Sequence, residues 1–284
     1  MPASQSSSPP IAMDDAGATD PREIHLAGLR FADHSVGSLL GLLGAARAAE
    51  PFRYAVNPNV DCVVRLAGDA RFAAACARAW LVVNDSRVLS LLARLLAGKR
   101  LRAVPGSDLV RLFLEERAVP GTTVTIVGGE PRVVDIVRAR TRALIQHHNP
   151  PMGFIRDPGA VERAYRFVRD NPADVVLLAV GSPQQELLAM HLADRGGCVG
   201  LGICCGAAVN LLAGAEPRAP LWMRRLALEW LHRLAGDPRR LWRRYLVRSP
   251  RIVALLVRSE WAARRPRLAL PWRDPGGLRR PRRT

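Results

Sequence analysis

The loop Gly181-Ser182-Pro183-Gln184-Gln185-Glu186 has residue types that could bind a phosphate-bearing ligand. Before it, residues 175–180 form a continuous apolar run without polar alternation, as expected for a strand buried on both faces of a parallel sheet. Gly181 stops that run. Ser182 is then placed to cap a following helix, Pro183 to fill its first position, and Gln185 to complete a capping box. A strand that turns tightly into a helix presents free amide groups at the carboxyl edge of its sheet, where phosphates bind. Capping its own helix is the competing role for Gln185. Asn84-Asp85-Ser86 ends another expected strand, residues 80–83, and so exposes a carboxylate at the same edge. Asn57-Pro58-Asn59 closes a strand over 53–56. Gly128-Gly129-Glu130-Pro131 closes one over 122–127, and its glycines either cradle phosphate or simply permit a tight turn.

These loops need a sheet to hold them, and the pattern supplies one. Helical periodicity is expected over 36–49, 60–66, 70–79, 88–97, from Ser107 or Asp108 onward, after Pro131, and over 159–169. A further short strand is expected at 143–146, with irregular chain over 147–154, and a last strand at 198–203 runs into a small-residue turn, 205–210. This β–α alternation over residues 40–214 predicts an α/β fold, a largely parallel Rossmann-like sheet flanked by helices. Three segments are expected: a disordered N-terminal tail over 1–22, an α/β core over 23–217 and an all-helical basic C-terminal appendage over 218–284. The core alone should keep its fold.

The formal charge of +17 is concentrated in that appendage. It holds 19 arginines against Glu229, Asp237, Glu260 and Asp274, a net +15, whereas the preceding 217 residues carry only +2. Such asymmetry points to a polyanionic partner. Trp222, Leu226, Trp230 and Leu234 recur every four residues on one expected helical face, and five of the six tryptophans lie in the appendage. Indoles beside guanidinium groups suit a helix at the headgroup boundary of an anionic membrane. The same face could instead pack on the core. Nucleic acid would need only the charge and not the tryptophans, so no nucleic-acid partner is expected. The five cysteines, without C-x-x-C spacing and in apolar surroundings, read as reduced buried thiols. His147, His148, His191 and His232 lack ligand spacing and read as surface or capping residues. No secretory signal and no run of about 18 apolar residues is expected, so membrane contact should be peripheral.

Taken with Arg218-Ala-Pro220, Glu229-Trp230-Leu-His-Arg233-Leu and Asp237-Pro-Arg-Arg240-Leu-Trp-Arg243-Arg, the Gly181 loop resembles the bacterial WecG/TagA/CpsF glycosyltransferases. The similarity covers residues 52–245 and includes Asn57-Pro58, Val104-Pro-Gly-Ser-Asp108, Gly128-Gly129 and Gly153-Phe154. Members move a sugar from a UDP-sugar to a polyprenyl-diphosphate-linked acceptor at the cytoplasmic membrane face. The resemblance implies that Asp85 is the general base, taking a proton from the attacking sugar hydroxyl. It implies that Asn57, Gly129 and Gln185 bind substrate, and that Arg218, Arg233, Arg240 and Arg243 neutralise diphosphate charge as bidentate donors. Inverting transfer without a metal or cofactor is expected. Ser86 stands where the family usually has Gly, Ala55 where Thr is frequent, Asn210 where Asp is frequent, and Ala103 replaces a frequent Arg. The alternatives are a basic-tailed nucleic-acid-binding protein and a sugar-nucleotide hydrolase or epimerase; homo-oligomerisation is left open.

Overall fold

The computed structural model describes residues 22–264. The expectations for the N-terminal tail and for Trp272 therefore lie outside the described residues. The strands are β1 Glu23–Leu26, β2 Leu29–Ala32, β3 Arg53–Val56, β4 Leu81–Val82, β5 Thr123–Val127, β6 Leu144–His148, β7 Val175–Leu178 and β8 Leu201–Cys204. β1 and β2 form a hairpin closed by Ala27 and Gly28, both at positive φ, as a two-residue turn matched to strand twist requires. The other six form one sheet in the order β4-β3-β8-β7-β5-β6, parallel throughout.

The strands are apolar on both sides because both sides are covered. In β7, Val176 and Leu178 face one buried layer and Val175 and Leu177 the other. Helices Val60–Leu66, Ala70–Ala77, Arg87–Ala97, Pro158–Asp170, Gln184–Arg195 and Arg251–Arg264 contribute buried side chains to the first layer. Val36–Ala45, Gly106–Leu112, Pro131–Arg138 and Ala208–Ala213 contribute to the second. Right-handed crossovers explain this division. The β3→β4 and β7→β8 connections step one way along the sheet and β5→β6 the other, so their helices fall on opposite faces. Adjacent strands β5 and β7 thus send their chains apart, leaving a crevice at their carboxyl ends.

Local structure departs from the sequence reading in three places. Helix Gln184–Arg195 starts with Pro183 at its N-cap and has no side-chain cap. The capping box is missing because the Gln185 amide bridges elsewhere, donating to Glu186 Oε1 and accepting from the Gly206 N–H, each at 2.9 Å. Helix Gly106–Leu112 begins after Pro105, again without the expected Ser107 or Asp108 cap. In the appendage, Ala227 adopts φ 60° and separates helix Leu221–Arg225 from Glu229–Gly236. Four-residue spacing consequently fails to align one face: Trp222 and Leu226 are exposed, whereas Trp230 is half-buried against Tyr245.

After helix Pro238–Trp242 and a π-helical turn over Arg243–Arg248, helix Arg251–Arg264 returns to the body. Its Ile252 and Leu256 join the first buried layer, and Glu260 pairs with Lys99. Each such apolar side chain contributes about 1.5–3 kcal/mol when fully buried. Removing the appendage therefore uncovers apolar side chains of the core, at a cost in stability.

Candidate active site

Asp85 follows β4 at the carboxyl edge and is held by a small network. Its backbone N–H donates to the Pro58 carbonyl at 3.3 Å, which ties the loop to the end of β3. The preceding Asn84 is fully buried; its amide donates to the carbonyls of Ser86 and Arg102 and to Ser90 Oγ, and its Oδ1 accepts from the Ser86 N–H. Sequence reasoning gave Asn84 no role, because nothing local signals an amide that knots three segments. Ser86 caps helix Arg87–Ala97 from φ −114°, extended backbone that needs no glycine. The departure to Ser therefore leaves the loop intact.

Asp85 Oδ1 accepts a 2.7 Å hydrogen bond from the Gly106 N–H, and Asn57 converges on the same spot: the Cβ position of Gly106 lies 3.6 Å from Asp85 Oδ1 and 3.8 Å from Asn57 Nδ2. Asn57 Nδ2 is shielded and has no hydrogen-bond partner among the described residues. Burial raises the Asp85 carboxyl above its ordinary value. The Gly106 amide and the charges of Arg233 and Arg244 oppose that rise, and Glu229 adds to it. A carboxylate kept away from water has raised basicity, which suits a general base.

A cavity of about 440 Å³ lies over Asp85, between the body and the appendage. Asn59, Asp61, Arg87 and Leu92 line it from the body, and Trp230, Arg233, Arg244 and Tyr245 from the appendage. The roof is pinned by three acidic anchors, to none of which the sequence gave that role. Asp108 is buried and pairs with Arg218 and with Arg224 at 2.9 Å; Glu229 meets Arg87 at 3.5 Å and Arg224 at 3.3 Å; Asp61 meets Arg244 at 3.3 Å. Only the pairing of each acid with an arginine distant in the chain would have revealed them.

The residues expected at the site are thus divided. Asp85 and Arg233 share the cavity and Asn57 adjoins it. Arg218 is engaged by Asp108. Arg240 pairs with Asp237 at 2.6 Å, and Arg243 lies over the Trp242 ring at 5.3 Å; neither lines the cavity. Gln185 and Gly129 occupy the same sheet edge at β7 and β5, away from Asp85. Gly128 and Gly129 have φ +100° and +83°, and a Cβ on Gly128 would meet the Ala179 backbone at 2.8 Å. His147 Nε2 lies 3.2 and 3.0 Å from their carbonyls, so it braces this turn from β6. It is half-buried, so of the surface and capping roles the sequence offered it has the second. All five cysteines are free and buried. Burial pushes Cys62 up to about 12, as expected of inert thiols.

A carboxylate, an unpartnered amide and cations under a helical roof at a parallel sheet's carboxyl edge suit transfer from a phosphorylated donor. The model of the Glycosyl transferase WecG/TagA/CpsF family matches residues 24–266, nearly the whole described chain. The chain belongs to this family. It is a glycosyltransferase of cell-surface polysaccharide biosynthesis, a class that in general takes a sugar-nucleotide donor and a lipid-linked acceptor. No helix among the described residues is long and apolar enough to cross a membrane.

Proposed function

We propose that this glycosyltransferase moves a sugar from a UDP-sugar to a polyprenyl-diphosphate-linked acceptor with inversion, working peripherally at the cytoplasmic membrane face. Asp85 takes the proton of the acceptor hydroxyl as that oxygen attacks the anomeric carbon and UDP departs. Arg233 neutralises the diphosphate. Guanidinium groups neutralise the negative charge that develops on the departing UDP, so the reaction needs no divalent metal. Asn57 offers a hydrogen-bond donor to substrate. Gly129 and Gln185, at the crevice where β5 and β7 part, orient the donor from the same sheet edge. Arg218, Arg240 and Arg243 act less directly, Arg218 by docking the roof.

The single observation that carries the reading is the meeting of Asp85 with Arg233 in one cavity roofed by the appendage. The roof's outer side fits a headgroup boundary. Trp222, Leu226 and Trp242 are exposed among arginines and do not line the cavity, as an interfacial helix presents its indoles and guanidinium groups. The appendage is thereby both roof, over its described residues 218–264, and membrane anchor.

The test is a transfer assay with the full chain, UDP-hexoses and UDP-N-acetylhexosamines, with and without polyprenyl-diphosphate-linked acceptors. The expected result is lipid-linked product that forms only with acceptor and at an unchanged rate in EDTA. Turnover of UDP-sugar without acceptor would replace transfer by hydrolysis or epimerisation, and a strict metal requirement would remove the arginine role.

A further inference from the structure

Asp61 lies in the first turn of helix Val60–Leu66, where the helix dipole favours a negative charge. Its side chain is only 10% exposed, and three arginines converge on it: Arg244 Nε at 3.3 Å, Arg65 Nη2 at 3.7 Å and Arg248 Nε at 3.9 Å. Arg65 is the i,i+4 neighbour on the same helix and needs no further account. Arg244 and Arg248 belong to the appendage, more than 180 residues along the chain. Asp61 and Arg244 both line the cavity that contains Asp85 and Arg233, and Arg248 does not.

Asp61 Oδ2 stands 3.3 Å from Arg244 Nε as an ion-pair partner, Nε itself having no hydrogen-bond partner among the described residues, and the Tyr245 ring lies 5.6 Å from the guanidinium carbon. Neither Nη atom has a hydrogen-bond partner among the described residues. A guanidinium group is a planar fork of five donors, so a carboxylate at Nε leaves the Nη pair free for a second, bidentate partner. One carboxylate against three arginines leaves a local charge of +2, so the cluster still attracts an anion. We propose that Arg244 is a diphosphate-binding arginine of the transfer site, shared with Arg233, and that Asp61 is a positioning residue that aims it. This rests on the reading of the Asp85 cavity given above. It assigns the diphosphate to an arginine one residue beyond Arg243, which the sequence motif suggested.

Five full-chain variants test the proposal by steady-state transfer kinetics: Asp61→Asn, Asp61→Glu, Arg244→Gln, the Asp61→Asn/Arg244→Gln double variant and Arg248→Gln. Arg244→Gln is expected to lower kcat/KM on the order of 100-fold, and Asp61→Asn to reproduce most of that loss, because a misplaced binding group costs about as much as a missing one. The double variant should be no worse than Arg244→Gln alone. Arg248→Gln, which removes only a tether, should stay within a few-fold of the unaltered chain, and Asp61→Glu should recover part of the activity. Additive losses, or equal losses in Arg248→Gln and Arg244→Gln, would reduce Asp61 to a structural tether and overturn the proposal. If Asp61→Asn fails to fold, as thermal melting would show, the contrast between Arg244→Gln and Arg248→Gln decides alone. Full activity in Asp85→Asn would instead remove the reading of the cavity, which none of these outcomes does.

Discussion

Replacing Asp85 by Asn isolates the chemistry of one oxygen. Oδ1 is committed to the Gly106 N–H at 2.7 Å, and the amide oxygen of Asn can accept the same bond. A hydrogen bond to a charged acceptor contributes about 1.5–3 kcal/mol and a neutral one about 0.5–1.5, so roughly 1 kcal/mol is lost from the fold. Burial opposes the charged form of Asp85, and removing that charge offsets part of the loss. In a body of this size 1 kcal/mol corresponds to a Tm change of about 2–4 °C, so the variant should melt within that range of the unaltered chain. Catalysis should respond differently. A positioned general base contributes about 10²- to 10⁴-fold, or roughly 2.7–5.5 kcal/mol of barrier. The expected result is a fall in kcat of that size with UDP-sugar affinity unchanged or improved, since a negative charge leaves an anion site. Radiolabelled sugar transfer, calorimetric titration of UDP-sugar and a melting curve measure the three quantities. A kcat within tenfold of the unaltered chain would refute the base assignment, and weakening of UDP-sugar binding parallel to the rate loss would make Asp85 a binding group instead.

Because burial raises the Asp85 carboxyl, transfer should fail as pH falls through its raised value; Arg233→Gln removes a charge that favours the ionised form and should move this acid limb to higher pH in a pH–rate profile. Gly128→Ala places a Cβ 2.8 Å from the Ala179 backbone at φ +100°, so a stability loss of about 1–3 kcal/mol in denaturant unfolding is expected; no loss would mean the β5 turn is free to move. Truncation after Pro217 should abolish transfer and flotation with anionic liposomes and also lower Tm, since Ile252 and Leu256 alone contribute about 3–6 kcal/mol of burial; a truncated chain as stable as the whole would contradict that packing.

The sheet was legible because its strands are buried on both faces. Runs such as Val175-Val-Leu-Leu178 have no reason to be uniformly apolar unless helices cover both sides, and the breaks at Gly181, Asn57 and Asn84 marked their carboxyl ends. The β1–β2 hairpin went unread because four-residue strands closed by Ala27-Gly28 carry too little periodicity. The appendage was misread where φ at a single residue decides: nothing at Ala227 announces a left-handed backbone, so Trp222 and Trp230 seemed to share a face. Within the site, Asp85 and Arg233 could be carried over from local motifs. Asp61 stood in no motif, and the motifs that contain Asp108, Glu229 and Arg244 do not show which distant partner each one meets.

These partners also explain how so cationic a segment sits on a nearly neutral body. Arg218 and Arg224 dock on Asp108, Arg87 of the body reaches up to Glu229, and Arg244 and Arg248 close on Asp61. Buried or half-buried pairs of this kind are costly to break one partner at a time, which fixes the roof over Asp85 with a definite set of side chains beneath it. Arg225, Arg239, Arg243, Arg251 and Arg258 are exposed, and so remain available to lipid phosphates, each contributing about 1 kcal/mol near an anionic surface. The division follows from where the body keeps its carboxylates. Moving one changes which arginines face the substrate and which face the membrane: Asp108→Asn should free Arg218 and Arg224, strengthen flotation with anionic liposomes and weaken transfer. A variant that lost transfer without any change in liposome binding would show that these arginines are not exchanged between the two surfaces.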